Sequence, residues 1–153
     1  MGGIGKTTLA KALFNKLVNH FKARSFISNI RKFSLDSGLT SLQSKFLGDL
    51  NSSVPPRIHD IAKGIIYIKE AVHDRAVRLV LDDIDDAEQL KVLARGRHWF
   101  YEGSRIIITT RNKQVLTENI VDEVYEVNEL TFLEALQLFS YHAFGREEPN
   151  KDF

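Results

Sequence analysis

Two short, largely apolar runs restrict the folds open to this chain more than any other feature. Residues 77–81 form the first run, which ends in the carboxylates of Asp82 and Asp83. Residues 105–109 form the second run, which contains three consecutive isoleucines. A strand that lacks the polar alternation of a half-solvated strand is buried on both faces, as in a parallel sheet covered by helices. The two runs therefore predict a parallel sheet with helices packed on both sides.

Helix and strand patterns alternate along the rest of the chain. In the first helical segment, Leu9, Leu13 and Leu17 recur every four residues, a spacing that places them on one helix face. This alternation predicts an α/β domain built on a doubly wound parallel sheet. Helices are predicted over residues 8–21, Leu39–Leu50, 58–73, Ala87–Leu93, 113–118 and 134–144, and further strands over residues 25–30 and 123–127.

Charge and cysteine content narrow the functions open to this chain. Its 153 residues include 21 Lys and Arg against 20 Asp and Glu, so a net charge of +1 gives no overall attraction to nucleic acid or to an anionic membrane. The absence of cysteine excludes disulfides, thiolate metal sites and a cysteine nucleophile. No apolar run in the sequence approaches the roughly 20 residues of a membrane-spanning helix. Any affinity for anions must therefore come from a local site.

A glycine-rich segment at the N-terminus is the best candidate for such a site. Gly5-Lys6-Thr7 matches the end of the phosphate-binding loop pattern G-x-x-x-x-G-K-S/T, whose first glycine would precede Met1. In such a loop, backbone N–H groups cradle phosphate oxygens, the lysine reaches the β- and γ-phosphates, and the hydroxyl binds Mg²⁺. The alternative is a glycine-rich turn that only precedes a helix. The candidate nucleotide-binding residues are Gly2, Gly3, Ile4, Gly5, Lys6, Thr7 and Thr8.

The acidic end of the first apolar run supplies a second candidate element. A phosphate-loop protein needs a carboxylate at the tip of a neighbouring strand to hold Mg²⁺, and Asp82 suits that position. Asp83 would then orient the attacking water. The alternative is an acidic helix cap, because Asp85 and Asp86 suit the start of a helix.

The second apolar run ends in a third candidate element, Thr109-Thr110-Arg111. Open α/β sheets bind ligands at the carboxyl ends of their strands, where this hydroxyl and guanidinium would lie. Arg111 could contact a γ-phosphate there, and the alternative is an arginine on the surface after a strand. Together the three elements predict binding of a purine nucleoside di- or triphosphate.

The order of these segments resembles the nucleotide-binding domain of plant intracellular disease-resistance proteins, in which leucine-rich repeats follow that domain. Residues 2–10, 79–86 and 103–111 carry the resemblance. Residues 26–31, 134–139 and 142–144 are also similar to the family's segments at the corresponding places. The resemblance implies a P-loop NTPase-like fold that acts as a switch, with ADP holding the receptor off, ATP permitting assembly, and slow hydrolysis resetting it.

Residue roles follow from the resemblance position by position. Lys6 and Thr7 match the nucleotide-binding pair, with Thr7 and Asp82 as the Mg²⁺ ligands. Asp83 matches the residue assigned to hydrolysis, and Arg111 matches the sensor arginine, so that these two are the catalytic candidates. The implied cofactors are ADP or ATP with Mg²⁺.

The resemblance also implies a class and a domain organisation. The coiled-coil class of these proteins usually has Trp at the position of Asp85. In this respect the chain is similar to the class with an N-terminal Toll/interleukin-receptor domain. Residues 1–128 are expected to form the nucleotide-binding domain without the strand that precedes the phosphate loop, and residues 129–153 the start of a helical subdomain. The chain is thus expected to be an inactive fragment of a weak ATPase. Its expected partners are nucleotide, the Toll-like and repeat domains of the same receptor, and further copies of the receptor on activation. Neither a membrane nor nucleic acid is an expected partner. The expected location is the cytoplasm or the nucleus.

Two other functions remain open at the level of sequence. The first is a turnover ATPase or small-molecule kinase of the P-loop class, which would need an acceptor pocket and an arginine-rich lid. The second is a non-catalytic module that binds proteins or DNA, against which the near-neutral charge argues.

Overall fold

The computed structural model describes residues 6–16, 23–50, 57–116, 121 and 124. Within them, three parallel strands form one sheet: β1 (Ala23–Ile27), β2 (Val77–Ile84) and β3 (Arg105–Thr110). The strand order is β1-β2-β3, so β2 lies in the middle. All three strands end at the same edge of the sheet because they run in the same direction.

Five helices surround this sheet in the described part of the chain. The first precedes β1, the next three connect β1 to β2, and the last connects β2 to β3. Short 3-10 turns at Arg97–Trp99 and Lys113–Val115 flank β3 in the sequence. The helices are α1 (Lys6–Lys16), α2 (Ile30–Ser37), α3 (Leu39–Leu50), α4 (Ile61–His73) and α5 (Ala87–Leu93).

The larger part of the core lies on the face of the sheet that α3, α4 and α5 cover. Alternate residues of β2, including Leu79 and Leu81, are fully buried there. Ser25 of β1 faces the same side, where its hydroxyl donates a 2.7 Å hydrogen bond to Asp49 of α3. Helices α3 and α4 pack on each other and bury residues such as Phe46 and Ile68.

Helix α1 covers the opposite face of the sheet. The rings of Phe14 on α1 and Phe26 on β1 meet edge to face, with their centroids 5.4 Å apart. Arg78 of β2 donates a hydrogen bond from Nη1 to the backbone carbonyl of Phe14, and its guanidinium lies 5.3 Å from the Phe14 ring centroid. Helices thus lie on both faces, which confirms the doubly wound parallel α/β fold predicted from the apolar runs.

Arg78 is a charged residue in the middle of this packed structure. Its side chain is fully buried. Burial and, as the smaller cause, the positive charge of Arg24 together lower the pKa of Arg78 to about 10. Both effects disfavour the cationic form of Arg78 in the folded protein.

Several predicted element bounds differ from those observed. The strand predicted over residues 25–30 is β1, which ends at Ile27, and α2, which was not predicted, begins at Ile30. Asn29 between them adopts a left-handed backbone conformation with φ 50°, which ends the strand and redirects the chain into the helix. The predicted bounds of α3 and α5 are confirmed, while α4 begins at Ile61 rather than residue 58.

Other predictions are tested only in part. Helix α1 begins at Lys6, two residues before its predicted start. The segment predicted as a helix over residues 113–118 contains the 3-10 turn at Lys113–Val115. The predictions for residues 17–21 and 134–144 lie outside the described residues, as do the domain boundary predicted at 128 and, apart from residue 124, the strand predicted over residues 123–127. Among the described helices, none has the length and apolar character needed to span a membrane.

Candidate functional site

The described residues of the three predicted elements meet in a cleft at the carboxyl edge of the sheet. At the N-terminus of α1, the Lys6 ammonium donates a 3.0 Å hydrogen bond to the backbone carbonyl of Thr110, at the end of β3. The next residue, Thr7, donates a 2.8 Å hydrogen bond to Asp82, near the end of β2. The cleft has a volume of about 350 Å³ and is lined by Lys6, Thr7, Lys11, Ser28, Asn29, Arg31, Asp82, Asp83, Thr109, Thr110 and Arg111.

Asp82 is the buried acidic centre of this cleft. The residue is 3% exposed, and its Oδ1 accepts hydrogen bonds from the hydroxyls of Thr7, at 2.8 Å, and Thr109, at 2.9 Å. Its Oδ2 accepts the backbone N–H of Asn29 at 3.2 Å. Donors from α1, β3 and the end of β1 therefore hold one carboxylate in place, and these bonds offset the cost of burying it.

Thr7 and Asp82 are suitably placed to hold a magnesium ion. Mg²⁺ binds oxygen ligands at about 2.0–2.1 Å in octahedral geometry, which sets neighbouring ligands about 2.9 Å apart. The Thr7 hydroxyl and Asp82 Oδ1 are 2.8 Å apart, so they fit two adjacent positions of one octahedron. Water and phosphate oxygens would complete such a site, since Mg²⁺ is usually held by one or two protein groups. The described residues contain no group of three or more His, Cys, Asp or Glu side chains that could hold a metal ion, in the cleft or outside it.

Asp83 projects from the strand by a local change in the backbone. It has a left-handed conformation with φ 62°, and the register of β2 against β3 shifts between Leu81 and Ile84. Its backbone N–H donates to the hydroxyl of Thr109 at 2.8 Å instead of joining the regular ladder. A left-handed non-glycine residue costs roughly 1–3 kcal/mol and persists where surrounding contacts hold it. At this position the Thr109 hydroxyl supplies such a contact.

The carboxylate of Asp83 lies between two arginines. Arg31 Nε is 3.5 Å from Oδ2, and Arg111 Nε is 3.5 Å from Oδ1. The Asp83 side chain is 16% exposed, while both arginine side chains are about half exposed. The neighbouring carboxylates thus differ sharply: Asp82 is bonded to three neutral donors, and Asp83 is paired with two half-exposed cations.

Acidic helix caps are also present in this region, but at other residues. Asp86 is the N-cap of α5 and accepts the backbone N–H of Glu88 at 2.9 Å, within a capping box completed by Gln89. Asp82 and Asp83 belong to β2. The cap alternative raised by the sequence therefore applies to Asp86 and does not account for the two carboxylates in the cleft.

The structure brings together most of the predicted site residues that it describes. Lys6, Thr7, Asp82, Asp83 and Arg111 all line the cleft. Thr8 is the sixth predicted site residue that the structure describes. It is exposed on α1 and does not line the cleft. The remaining predicted residues, Gly2, Gly3, Ile4 and Gly5, lie outside the described residues.

Sequence reasoning did not identify the contribution of the segment after β1. Ser28, Asn29 and Arg31 line the cleft together with Lys11 and the two threonines of β3. Because β1 is parallel to β2, its carboxyl end lies at the same edge of the sheet as Asp82. The polar residues that follow a predicted parallel strand were therefore the signal that could have located them.

The electrostatic character of the cleft favours an anion. Lys6, Lys11, Arg31 and Arg111 contribute four positive charges, against the two carboxylates of Asp82 and Asp83. The N-terminus of α1, with the positive end of its dipole, lies at the same place. The arrangement can hold a phosphorylated ligand and a divalent cation side by side.

Comparison with known proteins identifies relatives over the whole chain. The family model described as "NB-ARC domain" matches residues 1–148. The chain is 46% identical over 154 residues to Disease resistance protein RUN1 of Vitis rotundifolia, covering 100% of this chain and 12% of that protein. It is also 46% identical to Disease resistance protein RPV1 of the same plant, over 154 residues that cover 100% of this chain and 11% of that protein. TMV resistance protein N of Nicotiana glutinosa is 38% identical over 160 residues, covering 100% of this chain and 14% of that protein.

Proposed function

The chain belongs to the NB-ARC domain family of nucleotide-binding domains, and from this premise we propose that it is the nucleotide-operated switch of a plant disease-resistance receptor. In this proposal, the cleft binds ADP or ATP with Mg²⁺. Exchange of ADP for ATP changes the state of the receptor, and slow hydrolysis returns it. The relatives named as disease-resistance proteins support the receptor context, although the chain spans only 11–14% of their lengths.

The contact between Thr7 and Asp82 supports the proposal most directly. The hydroxyl that follows the phosphate-loop lysine and the carboxylate of a strand 75 positions along the chain meet at 2.8 Å. This is the pair of oxygens that a phosphate-loop protein uses for its magnesium ion. A glycine-rich turn with no function would not require a buried carboxylate at this position.

Each residue of the cleft has a distinct task in the proposed cycle. The Lys6 ammonium, now bonded to the Thr110 carbonyl, would turn to the β- and γ-phosphates as a point charge. Bound Mg²⁺ would neutralise phosphate charge while Thr7 and Asp82 hold it. Asp83 would orient the attacking water, and Arg111 would contact the terminal phosphate.

Hydrolysis in this site is expected to be slow. A guanidinium lies 3.5 Å from each oxygen of the Asp83 carboxylate. Both oxygens are therefore engaged by arginines, and one of these pairs must open before Asp83 can orient a water molecule. Slow hydrolysis suits a switch, because each state must persist long enough to signal. The bound nucleotide sets the state through its differential affinity for the two conformations.

We assign residues 1–128 to the nucleotide-binding domain and residues 129–153 to the start of a helical subdomain, in a receptor of the Toll/interleukin-receptor class. The other domains of that receptor and further copies of it would be the partners, in the cytoplasm or the nucleus. A turnover ATPase or small-molecule kinase is not favoured, because the three relatives cited above are all named for resistance.

Nucleotide binding is the first test of this function. Binding of the fluorescent analogue mant-ADP is titrated with the full chain. Lys6→Ala should abolish binding, whereas Lys63→Ala, which removes an exposed lysine on α4, should leave it unchanged. Removing Mg²⁺ with a chelator should weaken binding in the wild type. Equal binding by wild type and Lys6→Ala would overturn the proposed function.

A further inference from the structure

Arg31 is a cleft residue that belongs to none of the phosphate-binding motifs. It is the second residue of α2 and enters the cleft from the carboxyl end of β1, whereas Arg111 follows β3. Because β2 lies between β1 and β3, the two guanidinium groups approach Asp83 from opposite sides. Each takes its own oxygen of the carboxylate, with Arg31 on Oδ2 and Arg111 on Oδ1.

The two ion pairs leave positive charge available in this part of the cleft. One carboxylate balances only one of the two guanidinium charges. Both arginines approach Asp83 through Nε, at 3.5 Å, and each guanidinium also carries two Nη groups that can donate to a second anion. An anion with several oxygens would complete the charge balance between the two arginines.

The existing pairs are also easily exchanged for better ones. The side chains of Arg31 and Arg111 are 45% and 49% exposed, and ion pairs in such surroundings contribute little to stability. Phosphate oxygens accept shorter, bidentate hydrogen bonds from a guanidinium fork and carry more charge than a carboxylate. Transfer of Arg31 from Asp83 to a phosphate would therefore be favourable.

We propose that Arg31 binds the terminal phosphate of a nucleoside triphosphate from the side opposite Arg111, and thereby raises the affinity of the cleft for triphosphate over diphosphate. This inference rests on the proposed function and adds a specificity residue from the β1–α2 segment. A diphosphate has no terminal group to reach Arg31, which then stays on Asp83. The Arg31–Asp83 pair is thus the diphosphate arrangement, and the Arg31–phosphate pair is the triphosphate arrangement.

The test compares two nucleotides across matched variants of the full chain. Dissociation constants for mant-ADP and for the non-hydrolysable triphosphate AMP-PNP are measured with wild type, Arg31→Gln and Lys32→Gln. Lys32 is the next residue of α2, exposed and outside the cleft lining, so it controls for loss of one positive charge. Arg31→Gln should weaken AMP-PNP roughly tenfold and change mant-ADP by less than about twofold, since only the triphosphate loses a charge-assisted contact. Lys32→Gln should change neither constant.

A second variant and the pattern of losses identify what fails if the result differs. Arg31→Lys keeps the charge without the fork and should lose roughly threefold for AMP-PNP alone. Equal weakening of both nucleotides by Arg31→Gln would mean that Arg31 only supports the fold, and no change in either would also overturn the inference. In both cases wild-type binding that Lys6→Ala abolishes would leave the proposed function standing. A wild type that binds neither nucleotide would overturn both.

Discussion

Replacing Thr109 with Val should loosen both carboxylates of the cleft at once. The Thr109 hydroxyl donates to Asp82 Oδ1 at 2.9 Å and accepts the backbone N–H of Asp83 at 2.8 Å. Valine keeps the shape and the β-branched stiffness of threonine, so the change removes these two hydrogen bonds without opening a cavity. The left-handed Asp83 loses the partner of its N–H, and Asp82 loses one of its three donors.

The size of the effect follows from these two bonds. A hydrogen bond to a charged group contributes about 1.5–3 kcal/mol, and a neutral one about 0.5–1.5 kcal/mol. Because Thr109 is only partly buried, water can replace part of what is lost. The expected loss of unfolding free energy is therefore about 2–3 kcal/mol. For a domain of this size that lowers Tm by about 4–12 °C.

Thermal unfolding followed by circular dichroism measures this loss. Thr40→Val, which makes the same chemical change on α3 outside the cleft, is the matched control. The Mg²⁺ concentration that half-saturates nucleotide binding should also rise, by about tenfold, because Thr109 orients Asp82, the proposed Mg²⁺ ligand. If Thr109→Val and Thr40→Val melt at the same temperature with the same Mg²⁺ requirement, then Thr109 does not hold the two carboxylates.

Two further substitutions test the packing behind the cleft. Gly64→Ala should destabilise the protein by about 2–4 kcal/mol in urea unfolding, although alanine is the better helix former by about 1 kcal/mol. The added Cβ would lie 2.0 Å from Oε1 of the buried Gln43 and would displace the amide that donates to the carbonyls of Ile61 and Val92; a gain in stability would contradict this. Burial lowers the pKa of Arg78 to about 10, so the unfolded chain holds the proton more tightly and wild-type stability should rise relative to Arg78→Met above that pH. The difference between these two proteins should be constant from about pH 6 to 9, and a drift within that range would refute the assignment to Arg78.

Two helices that begin at a local sequence signal have the bounds predicted from the sequence. Helix α5 has the predicted bounds because Asp86 and Gln89 form a capping box encoded within four residues. Helix α3 also has the predicted bounds, and it follows Gly38, whose φ of 86° is a conformation that favours glycine. Such boundaries depend on interactions between near neighbours, which a single sequence displays.

The elements that were missed depend on contacts between distant parts of the chain. Helix α2 follows a left-handed Asn29, whose N–H is bonded to Asp82, 53 positions later. The pairing of β1 with β2 also brings Arg31 close to Asp83, and no spacing in the sequence predicts that ion pair. The phosphate-loop lysine and the acidic strand were predictable because their residue types are specific to phosphate and Mg²⁺ chemistry. The other cleft residues, such as Asn29 and Arg31, could not be assigned to the cleft without the position of β1 beside β2.

The adjacent carboxylates of Asp82 and Asp83 have different contacts and are suited to different roles in the proposed switch. Asp82 lies in the extended part of β2, 3% exposed, with three donors from three segments, so moving it would leave several polar groups without partners. Asp83 has a left-handed backbone and holds two arginines through ion pairs that are easily exchanged. The first carboxylate is therefore suited to a metal ion present with either nucleotide. The second is suited to release its arginines when a terminal phosphate arrives, because that exchange costs little and depends on the group by which the two nucleotides differ.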